Sequence, residues 1–364
     1  MPRQYRPTLL RSDRIYGQLL MLVRGMTADE RLPPVRRLMA QFAVSQVTVD
    51  RALSQLKQEG YIRAEQSRGL FVTGKREAGT VALLMHDAMS HFELQALRHC
   101  RAVFAAAGYN VQLATYHLPD GIAGGLRTVT ADALLVLPAG SRRILEELAE
   151  LRPAATPTVV LDLVPEDLDL NAVGTDNDFG GALAAKHLLD LGHRRIGILL
   201  AEPAVSSQRE RVAGFLRQAA LHGVENITVI DGLAQLVASG ERMTGGTFGV
   251  ARWATQRLLR EHGNCPFTAL FTESDLGALG VMKTLHENGI AMPGAVSVIG
   301  FDDLPEARYT HPALTTIRQD QVGWCQAALA IIEERRQSAS GPATRVRVRP
   351  ELVLRESTAA PAAP

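Results

Sequence analysis

The chain has 364 residues, more than one typical domain, and 46% of them are hydrophobic, which is enough to fill large buried cores. Its formal net charge of +1 is unevenly divided, because residues 1–76 hold 14 lysines and arginines against 6 acidic residues, a net of +8 that leaves −7 for the rest. A basic module attached to a mildly acidic body is typical of proteins that neutralise phosphates.

The residue inventory argues against several classes of protein. Cys100, Cys265 and Cys325 are widely spaced and form no Cys-x-x-Cys pair, and the ten histidines show no metal-ligand spacing. We therefore expect a reducing compartment, no metal and no other cofactor. With no signal peptide and no run of 18 apolar residues in the sequence, we expect a cytoplasmic protein with no membrane partner.

Two short helices are predicted within residues 31–60. Apolar residues recur at helical spacing in two series on either side of a break at residues 43–45: Val35, Leu38, Met39 and Phe42, then Val49, Ala52, Leu53 and Leu56. Prolines 33 and 34 would open the first helix, Ser45 is a suitable N-cap for the second, and Gly60 stands where a C′ glycine belongs. The two helices should share one small core.

A β-hairpin should follow these helices. Residues 61–63 and 70–72 are β-prone, and residues 66–69 between them have turn chemistry. Two helices joined by a turn could equally be a structural hairpin. The excess of basic charge instead favours a winged helix-turn-helix that binds DNA.

The order of residues across this module matches a known family. The matching positions are Leu32-Pro33, Arg36, Phe42-Ala43-Val44-Ser45, Thr48-Val49, Ala52-Leu53, Leu56, Glu59-Gly60, Arg68-Gly69 and Phe71-Val72, preceded by a first helix around residues 15–20. Residues 11–74 thus resemble the GntR-type winged-helix domain. The resemblance implies that the recognition helix enters the major groove of double-stranded operator DNA, with contacts from Arg36, Ser45, Gln46, Thr48, Arg68 and Gly69.

The chemistry of these side chains fits such contacts. Arg36 and Thr48 suit phosphate oxygens, and Gln46 can make a bidentate pair with adenine. GntR-type domains commonly have Arg in place of Gln46 and of Asp50, so we expect a different operator sequence. Asp50 could contact cytosine, or it could be solvated or paired with a neighbouring arginine.

Beyond residue 78, short apolar segments alternate with amphipathic stretches. Strands are predicted at residues 80–86, 110–116, 133–137, 158–161, 195–200, 268–272 and 296–301, and helices at 92–107, 142–151 and 250–259. Continuous apolar strands separated by helices indicate α/β architecture with parallel sheets covered on both faces. About eight such units are too many for one compact sheet, so we expect two lobes and a ligand cleft at the carboxyl ends of the strands.

A second resemblance supports this architecture. It is carried by the following positions, which include Leu191-Gly192-His193 and Gly300-Phe301-Asp302-Asp303: residues 173–177, 184–189, 191–197, 209–215, 269–272, 275, 278–280, 289–290, 293, 296–303 and 312–317. Residues 79–356 resemble the LacI/GalR regulators, which implies a two-lobed sensor of the periplasmic-binding-protein-like type I fold. From the residues alone, we expect His193 to have a structural role next to a glycine helix cap.

Arg211 and Asp302 are the main ligand-binding candidates. The resemblance implies that Arg211 binds ligand hydroxyls or a carboxylate, for which a guanidinium is suited, although Arg209 is an alternative. Asp302 follows an apolar strand and could accept two hydrogen bonds from adjacent hydroxyls. We therefore expect a sugar or polyol effector, with a nucleoside or purine as the alternative.

Further candidates follow other strands. Ser274 and Asp275 come after the strand at residues 268–272, although Asp275 could instead cap the next helix. Phe92 could stack on a ring of the ligand or belong to the core. The acidic segment 162–169 is longer than in the family, and we assign no ligand contact in it.

These expectations combine into a ligand-responsive transcription regulator, most simply a repressor. We expect a DNA-binding domain at residues 1–74, a linker at 75–78, a sensor at 79–356 and a disordered tail at 357–364. A homodimer would bind a pseudo-palindromic operator. The glycine-rich residues 245–249 lack the lysine of a P-loop, and we expect no enzyme activity; a solute-binding protein of a transport system is the alternative class.

Overall fold

The structure is a computed structural model, and it describes residues 11–65, 68–73, 79–152, 156–202, 206–338 and 341–362. The chain forms two compact units, residues 1–81 with 100–112, and residues 82–99 with 113–364. The expected linker at 75–78 and the wing-tip residues 66 and 67 lie outside the described residues. None of the described helices is long and apolar enough to cross a membrane.

The N-terminal part of the first unit forms a winged helix-turn-helix. Its elements are α1 (Arg11–Arg24), α2 (Val35–Phe42), α3 (Gln46–Gln58), β1 (Ile62–Glu65) and β2 (Gly69–Val72), and the two strands are antiparallel. The apolar series predicted from the sequence meets in one core around the fully buried Leu38, Val49 and Leu56. The predicted helices and wing strands are confirmed.

The ends of α3 follow the expected chemistry only in part. Gly60 has a φ of +77°, and the backbone N–H of Tyr61 donates to the Leu56 carbonyl, so the C′ glycine is confirmed. Ser45 is at the N-cap position, but its hydroxyl shares a 2.9 Å hydrogen bond with the Thr48 hydroxyl instead of capping a backbone N–H.

The sensor has two lobes, each built on a mainly parallel sheet, and in lobe 2 the edge strand β14 runs antiparallel to β12. Lobe 1 contains β3 (Gly79–His86), α4 (His91–Ala106), β4 (Tyr109–Tyr116), α5 (Ala123–Arg127), β5 (Ala133–Val136), α6 (Arg142–Leu151), β6 (Thr158–Asp162), β7 (Asn171–Thr175), α12 (Gln321–Gln337) and β13 (Arg345–Val348). Lobe 2 contains α7 (Asn177–Asp190), β8 (Ile196–Leu200), α8 (Ser206–Leu221), β9 (Thr228–Asp231), α9 (Gly232–Ser239), α10 (Gly246–His262), β10 (Ala269–Thr272), α11 (Asp275–Glu287), β11 (Ser297–Asp302), β12 (Thr315–Arg318) and β14 (Glu351–Val353).

In both sheets, the carboxyl ends of the central parallel strands lie at the cleft. The described strands of lobe 1 run in the order β13-β7-β6-β5-β3-β4, and those of lobe 2 in the order β14-β12-β11-β10-β8-β9. Neighbouring residues of β10 point to opposite faces, since Leu270 packs in one core cluster of lobe 2 and Phe271 in the other. Covered faces explain why these strands are continuously apolar.

The chain passes between the lobes at three places, after β7, after β12 and after β13. The segments are residues 175–177, 318–321 and 348–351. We refer to these three short connections together as the hinge. The first two are joined by a hydrogen bond of 2.7 Å from the Thr175 hydroxyl to Oε1 of Gln319.

The expected disordered tail is corrected by the structure. Ser357 is fully buried, and its hydroxyl donates to the Val298 carbonyl at 2.6 Å and accepts from the Thr315 N–H at 2.8 Å. Two residues later, the Ala359 carbonyl lies 2.9 Å from Nε2 of His193, which fits the structural role expected for that histidine. The segment through residue 359 is therefore part of lobe 2, because its polar groups satisfy buried backbone groups.

Candidate ligand-binding cleft and DNA-binding surface

A cavity of about 510 Å³ lies between the carboxyl ends of the two sheets. This volume is within the usual range for a small-molecule site. Of the residues singled out from the sequence, Phe92 reaches it from lobe 1, and Arg211, Ser274 and Asp302 reach it from lobe 2. Asp275 is not among the described residues that line it, and Arg209 is exposed elsewhere on α8.

Arg211 is held firmly by lobe 2. Its Nε donates to the Asn177 side-chain oxygen at 2.8 Å, and one terminal nitrogen donates to the Glu273 carbonyl at 2.5 Å. The guanidinium lies 3.7 Å from the centre of the Phe301 ring and 3.6 Å from Oδ1 of Asp302. A buried guanidinium with these partners has one orientation, and its free edge is available to the cavity.

Two glycines allow the helix of Arg211 to sit where it does. A Cβ on Gly181 of α7 would overlap the Arg211 carbonyl, and a Cβ on Gly214 of α8 would overlap the Asp178 carbonyl. The backbones of α7 and α8 are thus in direct contact. The position of Arg211 depends on this close approach, because the arginine lies at the crossing point itself.

Asp302 is at the end of β11 with a φ of +124°, a conformation that aspartate adopts rarely. Burial raises its pKa to about 7, and the nearby Arg211 opposes that rise. Its Oδ1 accepts a 2.7 Å hydrogen bond from Nε2 of Gln319, whose Oε1 in turn accepts from the Thr175 hydroxyl at 2.7 Å. The carboxylate is therefore linked to the hinge on one side and open to the cavity on the other.

The expectation for Asp275 needs correction. Its two carboxylate oxygens accept hydrogen bonds from the Leu304 N–H at 2.8 Å and the Thr316 hydroxyl at 2.5 Å, and the residue is fully buried. It holds the loop after β11 and does not cap the helix, since the N-cap is Ser274, whose hydroxyl accepts from the Gly277 N–H at 3.3 Å. Asp275 therefore supports the Asp302 loop from behind.

Phe92 fits both alternatives that the sequence left open, packing in the core and facing a ligand. Its ring makes an edge-to-face contact with Trp324, 5.9 Å between centroids, and it also lines the cavity. Beside it, Glu93 accepts hydrogen bonds from the Ser90 N–H at 2.7 Å and lies 2.8 Å from Nε2 of His86.

The sequence analysis left the 162–169 segment unassigned, and the structure brings Asp162 to the cavity. This residue ends β6, as Asp302 ends β11, and it too has a positive φ, +76°. Burial raises its pKa to about 6, again opposed by Arg211. The signal that identified Asp302, a carboxylate directly after an apolar strand, was equally present here. Glu202, Gln208 and Gln319 also line the cavity without having been predicted.

A further carboxyl group lies behind the cavity wall. Glu273 is fully buried at the end of β10, where its Oε1 accepts from the Ala201 N–H at 2.6 Å and its Oε2 has no hydrogen-bond partner in the described structure. Burial, and then the charge of Glu202, raise its pKa to about 8. Among the described residues, no group of three or more His, Cys, Asp or Glu side chains is arranged to hold a metal ion.

The predicted DNA-contacting residues of the helices lie on one surface. Arg36, Ser45 and Thr48 surround a shallow groove at the turn between α2 and α3, and Gln46 is exposed beside it at the start of α3. Asp50 is exposed one turn further along, with no ion pair to Arg36 or Arg51 in the described structure. The solvated alternative for Asp50 therefore fits, and its side chain is free for a base contact.

The wing residues lie on the hairpin as expected from the sequence. Arg68 is ion-paired with Glu65 at 2.6 Å and its guanidinium lies 5.4 Å from the Phe71 ring centre. Gly69 begins β2 with a φ of +113°. Arg68 is thus partly engaged within the wing, yet its side chain remains largely exposed.

Comparison with known proteins supports both parts of the chain. Residues 11–72 match the bacterial regulatory proteins of the gntR family, and residues 185–358 match the periplasmic binding protein-like domain. The HTH-type transcriptional repressor PurR of Mannheimia succiniciproducens is 31% identical over 261 residues, which cover 69% of this chain and 72% of that protein. The chain belongs to the LacI/GalR family of transcriptional regulators.

Other relatives of this LacI/GalR-family regulator agree. The PurR repressor of Haemophilus influenzae is 28% identical over 333 residues, covering 86% of this chain and 90% of that one. A LacI regulator from a Rhodococcus species has a TM-score of 0.64 and 26% identity over 77% of this chain and 98% of its own. A complex of the regulator CelR with cellobiose shares the fold over 97% of this chain and 100% of its own, with a TM-score of 0.63 and 22% identity.

The family assignment confirms the combination expected from the sequence, a gntR-type DNA-binding domain on a LacI/GalR-type sensor. The relatives are transcriptional regulators and not enzymes. The sensor residues described above come from both lobes and meet in the cleft that this fold provides.

Proposed function

We propose that this regulator is a repressor whose affinity for its operator is set by a small hydroxyl-rich molecule bound between the sensor lobes. The observation that carries the proposal is the cleft itself, in which Arg211 and Asp302 of lobe 2 meet Phe92 and Asp162 of lobe 1. Two similar structures contain sugars, since the CelR complex holds cellobiose and a LacI regulator from Enterococcus faecium holds ribose.

The side chains around the cavity support this ligand class. Arg211 is a donor and Asp302 an acceptor, and they lie side by side, so one ligand hydroxyl can donate to the carboxylate while another accepts from the guanidinium. The ring of Phe92 offers an apolar face, as sugar and base rings both require. A nucleoside or purine is the second candidate on that account.

The proposed mechanism couples lobe closure to DNA binding. Two chains pair and present two α3 helices to successive half-sites of an operator. A ligand that contacts both lobes stabilises their closed arrangement and changes the spacing of the two DNA-binding domains. Since the two half-sites are bound together, a small misalignment releases much of the affinity. The protein would act in the cytoplasm, where the operator is found.

The direct test uses the purified full chain and a labelled duplex from upstream of its own gene. Fluorescence anisotropy should show binding that depends on salt and changes when a stabilising sugar is added. Asp302→Ala should bind the duplex as the wild type does and lose the response to the sugar. If Asp302→Ala keeps the full response, the assigned site is wrong; if the wild type binds no DNA, the regulator function fails.

A further inference from the structure

The cavity has an unbalanced charge. Four carboxyl groups line it, from Glu93 and Asp162 in lobe 1 and from Glu202 and Asp302 in lobe 2. Among the described lining residues, Arg211 is the one lysine or arginine. A neutral sugar would leave this excess of negative charge in a closed, poorly hydrated site, where uncompensated carboxylates are costly.

The single guanidinium is largely committed already. Arg211 donates to Asn177 and to the Glu273 carbonyl, and its nearest carboxylate is Asp302 of the same lobe at 3.6 Å. Its charge also acts on Asp162 of lobe 1, whose pKa stays raised in spite of it, so one guanidinium serves the carboxylates of both lobes. Among the described lining residues of lobe 1, His86 has the one basic side chain, and its Nε2 lies 2.8 Å from Glu93.

The carboxylates differ in how well they are satisfied. Glu202 accepts from the Gln208 amide at 2.6 Å and the Thr247 hydroxyl at 3.0 Å, and Asp302 accepts from Gln319 at 2.7 Å. The Asp162 carboxylate receives no hydrogen bond from any residue in the described part of the chain. Both Asp162 and Asp302 also keep a left-handed backbone, φ +76° and +124°, which costs energy and carries them to the cavity.

We propose that the effector carries a positively charged amino group, bound by Asp162 of lobe 1 while the hydroxyls of the same ligand bind Arg211 and Asp302 of lobe 2. An amino sugar or another hydroxylated amine of similar size fits this description. Such a ligand supplies both the donors that Asp162 lacks and the charge that the cavity lacks. This inference rests on the proposed function, because it concerns the ligand of the same cleft.

Through the same contacts, an amine ligand would stabilise the closed arrangement of the two lobes. Its ammonium group would hold lobe 1 through Asp162, and its hydroxyls would hold lobe 2 through Arg211 and Asp302. A ligand without the amine keeps the second set of contacts and loses the first. Anionic ligands such as sugar phosphates should be rejected, because they meet Asp162, Glu93 and Glu202.

The test compares matched pairs of ligands by isothermal titration calorimetry on the full chain at pH 7.5. The probes are D-glucosamine against D-glucose and D-galactosamine against D-galactose. At least one amino sugar should bind roughly tenfold or more tightly than its neutral partner. Asp162→Asn, which keeps the shape and removes the charge, should reduce this preference to about threefold or less. Asp167→Asn is the control, because Asp167 is on the same segment but is exposed and paired with Arg142.

The outcomes separate this inference from the proposed function. Equal or tighter binding of the neutral sugars, no binding of either amino sugar, or an unchanged preference in Asp162→Asn would each overturn it. If a neutral sugar releases the DNA and the amino sugars do not, the regulator function stands and the assignment of a positively charged effector is wrong. Should Asp162→Asn fail to fold, the wild type provides a second measurement: amino-sugar affinity should fall several-fold between about pH 7 and pH 9, as the ammonium group loses its proton, while the affinity of the neutral sugar should change less, and a parallel profile for the two sugars would contradict the proposal.

Discussion

Gln319 joins Asp302 to the hinge. Its Nε2 donates to Oδ1 of Asp302 at 2.7 Å, while its Oε1 accepts from the Thr175 hydroxyl at 2.7 Å. Thr175 ends a strand of lobe 1, Asp302 ends a strand of lobe 2, and Gln319 lies on a segment that connects them. The carboxylate of Asp302, the proposed ligand acceptor, is therefore connected to the hinge through the one side-chain amide of Gln319.

The first prediction concerns this amide. Gln319→Ala should weaken effector binding at least about tenfold, because it removes the donor that orients Asp302 and leaves a buried acceptor unpaired. Calorimetry gives the affinity, and anisotropy with operator DNA should show unchanged binding without ligand. Gln256→Ala, an exposed position on α10, is the control. An effector affinity equal to that of the wild type would mean that the Gln319 bond has no role in binding.

The second prediction concerns the close contact of α7 and α8. Gly181→Ala should destabilise the sensor by about 1–3 kcal/mol, because the added methyl group meets the Arg211 carbonyl and forces the helices apart. Effector affinity should fall as well, since Arg211 moves with α8. Gly124→Ala has open space around its Cβ and should leave both properties unchanged. Thermal unfolding and calorimetry measure the two effects, and a fully stable Gly181→Ala would contradict the packing described.

The third prediction concerns Glu273 and pH. Burial raises the pKa of Glu273 to about 8 from an ordinary value of 4.5, so the folded protein keeps a proton that the unfolded chain loses. The contribution of this group to stability is present below pH 4.5 and is lost as the pH rises to about 8. Glu273→Gln keeps the neutral form at every pH, so its melting temperature relative to the wild type should rise between pH 5.5 and 8.5.

Melting curves at pH 5.5, 7.0 and 8.5 measure this effect. Each kcal/mol corresponds to about 2–4 °C for a domain of this size. Glu261→Gln is the control, because Glu261 is exposed and paired with Arg257 on α10. Asp162 and Asp302 also have raised pKa values and the same sign, so the variant retains part of the pH dependence. A constant difference from the wild type at all three pH values would refute the assignment to Glu273.

The fourth prediction concerns the DNA-binding surface. Arg36→Ala should weaken binding to all duplexes alike and reduce the salt dependence, because a phosphate contact carries no sequence information. Gln46→Ala should instead relax the preference at one base pair by about 1–3 kcal/mol. Gln58→Ala, exposed at the far end of α3, is the matched control for Gln46. Competition binding with single-base operator variants distinguishes the two effects, and the contact assignments fail if neither variant changes binding.

Much of the fold could be predicted because its signals are local. The apolar runs of β3, β5, β6, β8, β10 and β11 are buried on both faces, and all six strands were predicted within a few residues of their observed bounds. Five shorter strands were missed. The edge strands β9, β13 and β14 are partly exposed, and β13 carries alternating arginines. The interior strands β7 and β12 were missed as well, because their short sequences, NAVGT and TTIR, contain at least as many polar as apolar side chains.

The site was predictable only where position along the chain determines position in space. A carboxylate after a buried strand reaches the carboxyl edge of a parallel sheet, which is why Asp302 was identified. Asp275 satisfies the same rule but turns to Leu304 and Thr316, 29 and 41 residues away, and Asp162 reaches the cavity through a left-handed turn. Local sequence does not specify these partners, since they are contributed by segments far along the chain, the loop after β11 and the strand β12.

The sequence by itself determined the class of protein: a basic winged helix-turn-helix on an α/β sensor, because periodicity and charge are properties of the chain. The tertiary structure decided which polar groups face the cleft, which are used to hold loops, and that the segment around Ser357 is built into lobe 2. The physical reason is that a buried polar group must find a partner, and that partner is fixed only when distant segments come together.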